Sequence, residues 1–230
     1  MATETQDHVP NTISGEEDLH KFAHVIAAAF SNDALNRYLF LGRESQPDHP
    51  KLEHFDHRVQ YWLPHIKTRF EGGGILIQTY DWAGVALWLP PGVEKPVNNA
   101  SPISEGAAEY RQKFDALKKK YLGDRTYWYL NLIARAPTRL EKGMVRSTWD
   151  AYAGWECAIR NLVDPFLKKA REQNIPVWLE ATNQHAREVY SHLGFRTVEQ
   201  VRIGEGIVNA DGWAQPNGEG VLTYGMVAGL

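Results

Sequence analysis

The sequence predicts an α/β (α+β) fold in which helices and strands interleave along one chain, and three observations carry that reading. The stretch PVWLEATNQHAREVYSHLGF, from Pro176 to Phe195, reads as a buried strand, a polar turn and a short helix stopped by a glycine. TYWYLNLIA, from Thr126 to Ala134, is aromatic and apolar almost throughout, as a central strand buried on both faces must be. Between them, Trp155, Ala158, Ile159, Leu162, Val163, Phe166, Leu167 and Ala170 hold three- and four-residue spacing for about four turns, which is a long amphipathic helix.

The remaining elements follow in chain order. Residues 1–15 are polar and acidic and are expected to form a flexible tail. Ser14 and Glu17 have the spacing of a capping box, opening a helix on Leu19, Phe22, Ala23, Val25, Ile26, Ala29 and Phe30. Asn32 and Asp33 mark a turn. From Pro50, the residues Leu52, Phe55, Val59, Trp62, Leu63, Ile66 and Phe70 keep helical spacing until Gly72, Gly73 and Gly74 break it. GILIQTY and WAGVALWL read as two strands around a turn at Asp81, closed by Pro90, Pro91 and Gly92. A loop over 93–104 leads to a helix over Glu105–Tyr121, built on Ala108, Tyr110, Phe114 and Leu117. Within the Pro176–Phe195 stretch, Asn183 is a natural turn and cap residue. Ala186, Val189, Tyr190 and Leu193 form one helical face, and Gly194 supplies the left-handed residue that ends the helix. Val198–Ile203 and VLTYGMVA are the last strands, separated by the turn-rich NADGWAQPNGEG.

The totals narrow the function classes. A chain of 230 residues suits a single domain over 16–230 behind the tail, and 43% hydrophobic residues can build its core. A net charge of −3 provides no basic field for nucleic acid. Cys157 is the single cysteine, so no internal disulfide forms and no cysteine-based metal site is expected. His54 and His57 sit three apart but lack a third ligand, so no metal is expected there either. No apolar run approaches the length of a membrane span. The first residues lack the basic and apolar segments of a signal peptide, which makes a cytoplasmic protein the expectation.

Asn183, Ala186, Tyr190, Gly194 and Phe195 fill every position of the pattern Asn-x-x-Ala-x-x-x-Tyr-x-x-x-Gly-Phe. In this, and in its element order over residues 17–229, the chain resembles the GCN5-related N-acetyltransferase superfamily and is similar to its fungal small-molecule members. The resemblance implies a central mixed, twisted β-sheet flanked by helices. It implies acetyl-CoA lying between the central strand and the signature strand, with backbone groups of Leu132, Ile133 and Ala134 offered to its pantetheine arm. Asn183 would contact that arm, and Tyr190 would protonate the departing thiolate. Asn183 is equally a helix cap, and Tyr190 equally a ring packed on the core. Glu180, near the end of a buried strand, could be desolvated and act as general base, or be a core carboxylate paired with an arginine such as Arg187.

One segment departs from the resemblance. Where the superfamily places a glycine-rich loop for the pyrophosphate, this chain has TRLEKGMV, keeping Lys142 and Gly143, with an insertion near 144–157. Arg139, Lys142 and Arg146 would then bind phosphate as side-chain cations. The leading expectation is an acyl-CoA-dependent acyltransferase, N- or O-acetyl, acting on a small hydrophobic metabolite. Tyr61, Trp62, Trp82 and Trp88 would wall its pocket, and a homodimer is left open. The altered loop favours a second reading, in which Trp149, Tyr152 and Trp155 fill the cofactor groove. The same fold would then catalyse a cyclisation, isomerisation or decarboxylation in secondary metabolism without acetyl-CoA. A third is a non-catalytic metabolite-binding module.

Overall fold

The computed structural model describes residues 10–94, 104–137 and 148–229, and of 148–157 the backbone alone. The described strands are β1 (Asn11–Thr12), β2 (Ile75–Thr79), β3 (Gly84–Leu89), β4 (Trp128–Arg135), β5 (Val177–Ala181), β6 (Arg196–Ile203) and β7 (Val221–Ala228). They form one seven-stranded sheet in the order β1-β2-β3-β4-β5-β7-β6. The β4–β5 pair is parallel and the other pairs are antiparallel, so the sheet is mixed. The helices are α1 (Glu16–Ala29), α2 (Ala34–Leu41), α3 (Asp56–Glu71), α4 (Glu105–Leu122), α5 (Thr148–Glu172) and α6 (Gln184–His192), with short 3₁₀ turns at Gly42–Glu44 and Pro50–Leu52.

Two cores flank the sheet. Leu19, Phe22, Ile26, Ile66, Phe114 and Leu117 of α1, α3 and α4 pack with Leu87, Tyr129 and Trp178. Ile159, Leu162, Val163 and Leu167 of α5 pack with Trp88, Trp128, Leu130, Val177 and Leu179 on the opposite face. Strand alternation decides which residue goes where, since neighbours along a strand face opposite ways. Trp178 and Glu180 of β5 therefore share the α1/α3/α4 face, while Val177, Leu179 and Ala181 meet α5 and α6.

Two expectations change. The tail ends earlier than residue 15: Asn11 and Thr12 pair with Gln78 and Ile77, and Ile13 is buried with its N–H bonded to Leu76. That pairing covers the outer edge of β2, and the capping box does not form, because Gly15 is the N-cap of α1 and no side chain caps it. Residues Ala34–Leu41, to which the sequence reading assigns no element, form α2, which Asp33 caps and Gly42 ends at φ 71°. Leu35, Asn36, Tyr38, Phe40 and Leu41 are all buried there, so burial on several sides hides the one-faced periodicity that marks a surface helix. The insertion expected near 144–157 falls on residues outside the described set up to 147 and within α5 from Thr148. Among the described residues, no helix is long and apolar enough to cross a membrane.

The end of α6 has a defined lock. The N–H of Phe195 bonds the carbonyl of Tyr190 at 3.1 Å, and that of Gly194 bonds Ser191 at 3.1 Å, with Gly194 at φ 92°. This is a Schellman motif, and its apolar contact is the Tyr190–Phe195 ring pair, 6.2 Å between centroids. A Cβ at Gly194 would meet nothing within 4 Å, so only the backbone conformation resists substitution. Gly194→Ala is expected to cost about 1–2 kcal/mol and to lower Tm by several degrees in thermal denaturation. An unchanged Tm would mean that the left-handed residue does not hold this helix end.

Candidate active site

A cleft of about 1010 Å³ opens where β4 and β5 part. The two strands pair only at Trp128–Val177, Tyr129–Trp178 and Leu130–Leu179. Beyond that point β4 stays with β3, and Glu180 and Ala181 pair with β7 alone. The split coincides with a bulge, since Leu132 faces Leu87 and Leu130 faces Trp88, leaving Asn131 without an opposite residue. The bulge also reverses the alternation. Tyr129 and Leu132 both join the α1/α3/α4 core, whereas a regular strand would send residues three apart to opposite faces.

Six of the residues singled out in the sequence line this one cleft: Leu132, Ile133, Ala134, Glu180, Asn183 and Tyr190. Arg139, Lys142 and Gly143, expected at the phosphates, lie outside the described residues, as does Arg146. Of the expected aromatic walls, Tyr61 and Trp62 line the cleft. Trp88 does not: it is fully buried, stacks on Phe166 at 4.5 Å and donates its indole N–H to Leu162. Trp82 packs on the core outside the cleft.

Tyr190 is half-buried, and its hydroxyl has no hydrogen-bond partner among the described residues. Burial, and after it the charge of Asp33, push its pKa up from the ordinary phenol value, so the group stays protonated. Asn183 caps α6 by accepting the Ala186 N–H at 2.9 Å, and its amide donates to Asp33 Oδ2 at 3.1 Å. Thr182 donates to the same oxygen at 2.6 Å, while Asp33 Oδ1 accepts the backbone and side-chain N–H of Asn36 at 2.9 and 2.7 Å. Asp33 thus caps α2 and clamps the α1–α2 turn to the start of α6, closing the cleft at the Tyr190 end. The sequence showed Asp33 only as a turn residue. An Asp before a short apolar run is also a cap signal, but nothing local reveals the α6 partner.

Glu180 is nearly inaccessible, and four groups point donors at it. Trp178 Nε1 donates to Oε1 at 2.7 Å, Tyr110 donates to Oε2 at 3.2 Å, and Tyr129 makes a short bond to Oε2. Lys118 Nζ lies 3.8 Å from Oε1, with side-chain exposures of 10% and 4% making this a buried ion pair. The partner is therefore Lys118, not Arg187, whose guanidinium bonds Thr197 and Gln184 and stacks on Tyr224. Residues 180 and 187 diverge because Glu180 faces α4 while α6 lies across the sheet. Burial works against charge on Lys118, but Glu180 and Asp115 outweigh it and raise its pKa. Tyr110 and Tyr129 are raised well above the phenol range by burial and then by Glu180.

Comparison with known proteins agrees with this geometry. The chain is 26% identical over 226 residues to the Saccharomyces cerevisiae uncharacterized protein YDR391C, covering 97% of this chain and 89% of the relative. It is 25% identical over 191 residues to the uncharacterized N-acetyltransferase C550.08 of Schizosaccharomyces pombe, covering 78% and 71%. No protein-family model matches it. Among solved structures it is similar to an agmatine N-acetyltransferase, with TM-score 0.57 and 11% identity over 98% of this chain and 100% of that one. It is also similar to arylalkylamine N-acetyltransferase 2 of Aedes aegypti, with TM-score 0.52 and 17% identity over 96% and 98%. The chain has the fold of these N-acetyltransferases. In this acetyltransferase fold the parted strands and the Asn183–Phe195 signature stand side by side, as the sequence resemblance implies.

The Asp33 clamp is directly testable. Asp33→Ala removes the α2 cap and strands the donors of Thr182 and Asn183, for an expected loss of about 2–3 kcal/mol in denaturant unfolding. Combined with Asn183→Ala, the losses should be non-additive by at least about 0.5 kcal/mol; additive losses would mean the two side chains act independently.

Proposed function

We propose that the protein is an acyl-CoA-dependent acyltransferase that acetylates a small-molecule amine in this cleft. The observation that carries the reading is the convergence, at one cleft, of a β4 edge and a protonated tyrosine hydroxyl that have no partner among the described residues. The amine acceptors in the printed names of the structural neighbours, agmatine and arylalkylamines, support an amine over a hydroxyl.

The residues present fit the cofactor's extended amide arm. Beyond Leu130 the β4 edge that faced β5 pairs with no strand among the described residues, and peptide groups of Leu132–Ala134 can bond an arm laid along it as a further strand. Acetyl-CoA, when bound, supplies an activated acyl group. A backbone N–H near Ile133 would face the charge that develops on the acyl oxygen. Tyr190, held by the α6 lock, would give its hydroxyl proton to the departing sulfur. The attacking amine must lose a proton, and Glu180 is its destination. Tyr110, which both lines the cleft and donates to Glu180, would pass it on. Lys118 keeps the receiving carboxylate from being an unpaired buried charge.

Tyr190→Phe is expected to lower kcat by about 100-fold or more while leaving Tm unchanged, because the hydroxyl has no bond to lose among the described residues. Steady-state acetylation of a panel of small amines, with a melting curve for each protein, reads both. Since the raised phenol ionises only above its ordinary value, the wild-type rate should show no Tyr190-dependent alkaline fall below pH about 10. A variant with native turnover would remove Tyr190 from the chemistry.

A further inference from the structure

Arg69, near the end of α3, lines the same cleft. Its Nη1 donates to the His65 carbonyl at 2.7 Å, but its Nε is buried without a hydrogen-bond partner among the described residues. No carboxylate forms an ion pair with it among the described residues. The groups that act on it are the phenols of Tyr61, Tyr110 and Tyr129 and a second cation, Arg111. Burial keeps those phenols neutral, Tyr61 being pushed up to about 12, so none of them balances the guanidinium. A guanidinium cannot escape by losing its proton at working pH, and burying one unpaired is costly. The two anions of the cleft, Asp33 and Glu180, are by contrast fully occupied with donors of their own.

We propose that the cleft takes a small molecule bearing a carboxylate, bound by Arg69, and, resting on the function proposed above, that this molecule is the amine acceptor. Arg69 belongs to the half of the cleft walled by Phe30, Tyr61 and Trp62, on the α1/α3/α4 side of the sheet. The core residues of α5 from Ile159 to Ala170 pack on the other side of the sheet. Asn131 supplies a second open contact. Its side chain bonds Tyr129, but its buried Oδ1 has no donor. An N–H of the acceptor's amine would satisfy that oxygen as the carboxylate satisfies Arg69. Amine, apolar body and carboxylate together describe an amino acid with a large side chain, or a close analogue, in place of a simple arylalkylamine.

The test begins with binding, which needs neither acetyl-CoA nor turnover. The full-length protein is titrated calorimetrically with 3-phenylpropanoate and with its neutral isostere 3-phenylpropanamide. The acid is expected to bind at least about tenfold tighter than the amide, with the preference lost in Arg69→Gln and partly kept in Arg69→Lys. Equal binding of the two, or no binding of the acid at about 10 mM, overturns the proposal, and neither result requires a variant to fold. Acetylation of phenylalanine against phenethylamine then separates the two readings. A preference for phenylalanine that Arg69→Gln abolishes supports both. Turnover of phenethylamine with no gain from the carboxylate overturns the anion site alone. Tight binding of the acid without acetyl transfer to any amine leaves the anion site standing and removes the transferase.

Discussion

The parting of β4 from β5 after Leu130 and Leu179 is the constraint on which the rest of the molecule depends. Neighbouring parallel strands normally continue their ladder, because buried peptide groups left without partners are costly. Here each strand stays bonded on its far side, β4 to β3 through Arg135 and β5 to β7 through Ala181, so only the two edges that face each other lose their partners. The bulge at Asn131 bends β4 at the same point and re-aims its side chains. Leu132 returns to the α1/α3/α4 core and Ile133 turns toward the α5 core. Packing on both faces then holds the strands apart, since closing the gap would slip the register and send each side chain to the wrong core. The opening is thus a product of two well-filled interiors and not of a loose sheet.

Around that opening the charges are arranged so that most of the cost of burial is met locally. Glu180 stands among Trp178, Tyr129, Tyr110 and Lys118, brought together from β5, β4 and α4. Its removal would leave Lys118 as an unpaired buried cation, which is why such clusters are costly to break even when they add little net stability. Asp33 performs a second joining role, since one carboxylate caps α2 and holds the first turn of α6. The start of α2 and the signature helix are therefore tied at the Tyr190 end of the cleft, where proton delivery to sulfur is proposed. Arg69 is the exception to local balance, and that imbalance is what suggests a ligand.

Much of this was legible in the sequence where the determining interactions are local. Asn183 as cap, Gly194 as left-handed stop and the apolar face of α6 are all decided within a few residues, and each reappears in the structure. The strands of the signature region and β4 were readable because burial on both faces demands continuous apolar runs. What escaped depends on contacts distant in the chain. α2 was hidden because its surroundings bury several of its faces, and the early strand at Asn11–Thr12 exists only by pairing with β2. Lys118 as the partner of Glu180 and Asp33 as the partner of Asn183 are tertiary facts, as is the bulge at Asn131. Arg187 was a reasonable guess by proximity in sequence, defeated by strand alternation. Arg69 gave no signal, since one cation in a helix of mixed charge looks like solvated surface.

The central claim is that the opening between β4 and β5 receives acetyl-CoA, and calorimetric titration of the full-length protein with acetyl-CoA, free CoA and desulfo-CoA tests it most directly. Saturable binding in the micromolar range, with a rise in Tm that grows with ligand concentration, is the result the account predicts. No heat and no shift in Tm at millimolar acetyl-CoA would contradict it, and the same cleft would then have to serve a chemistry that uses no acyl-CoA.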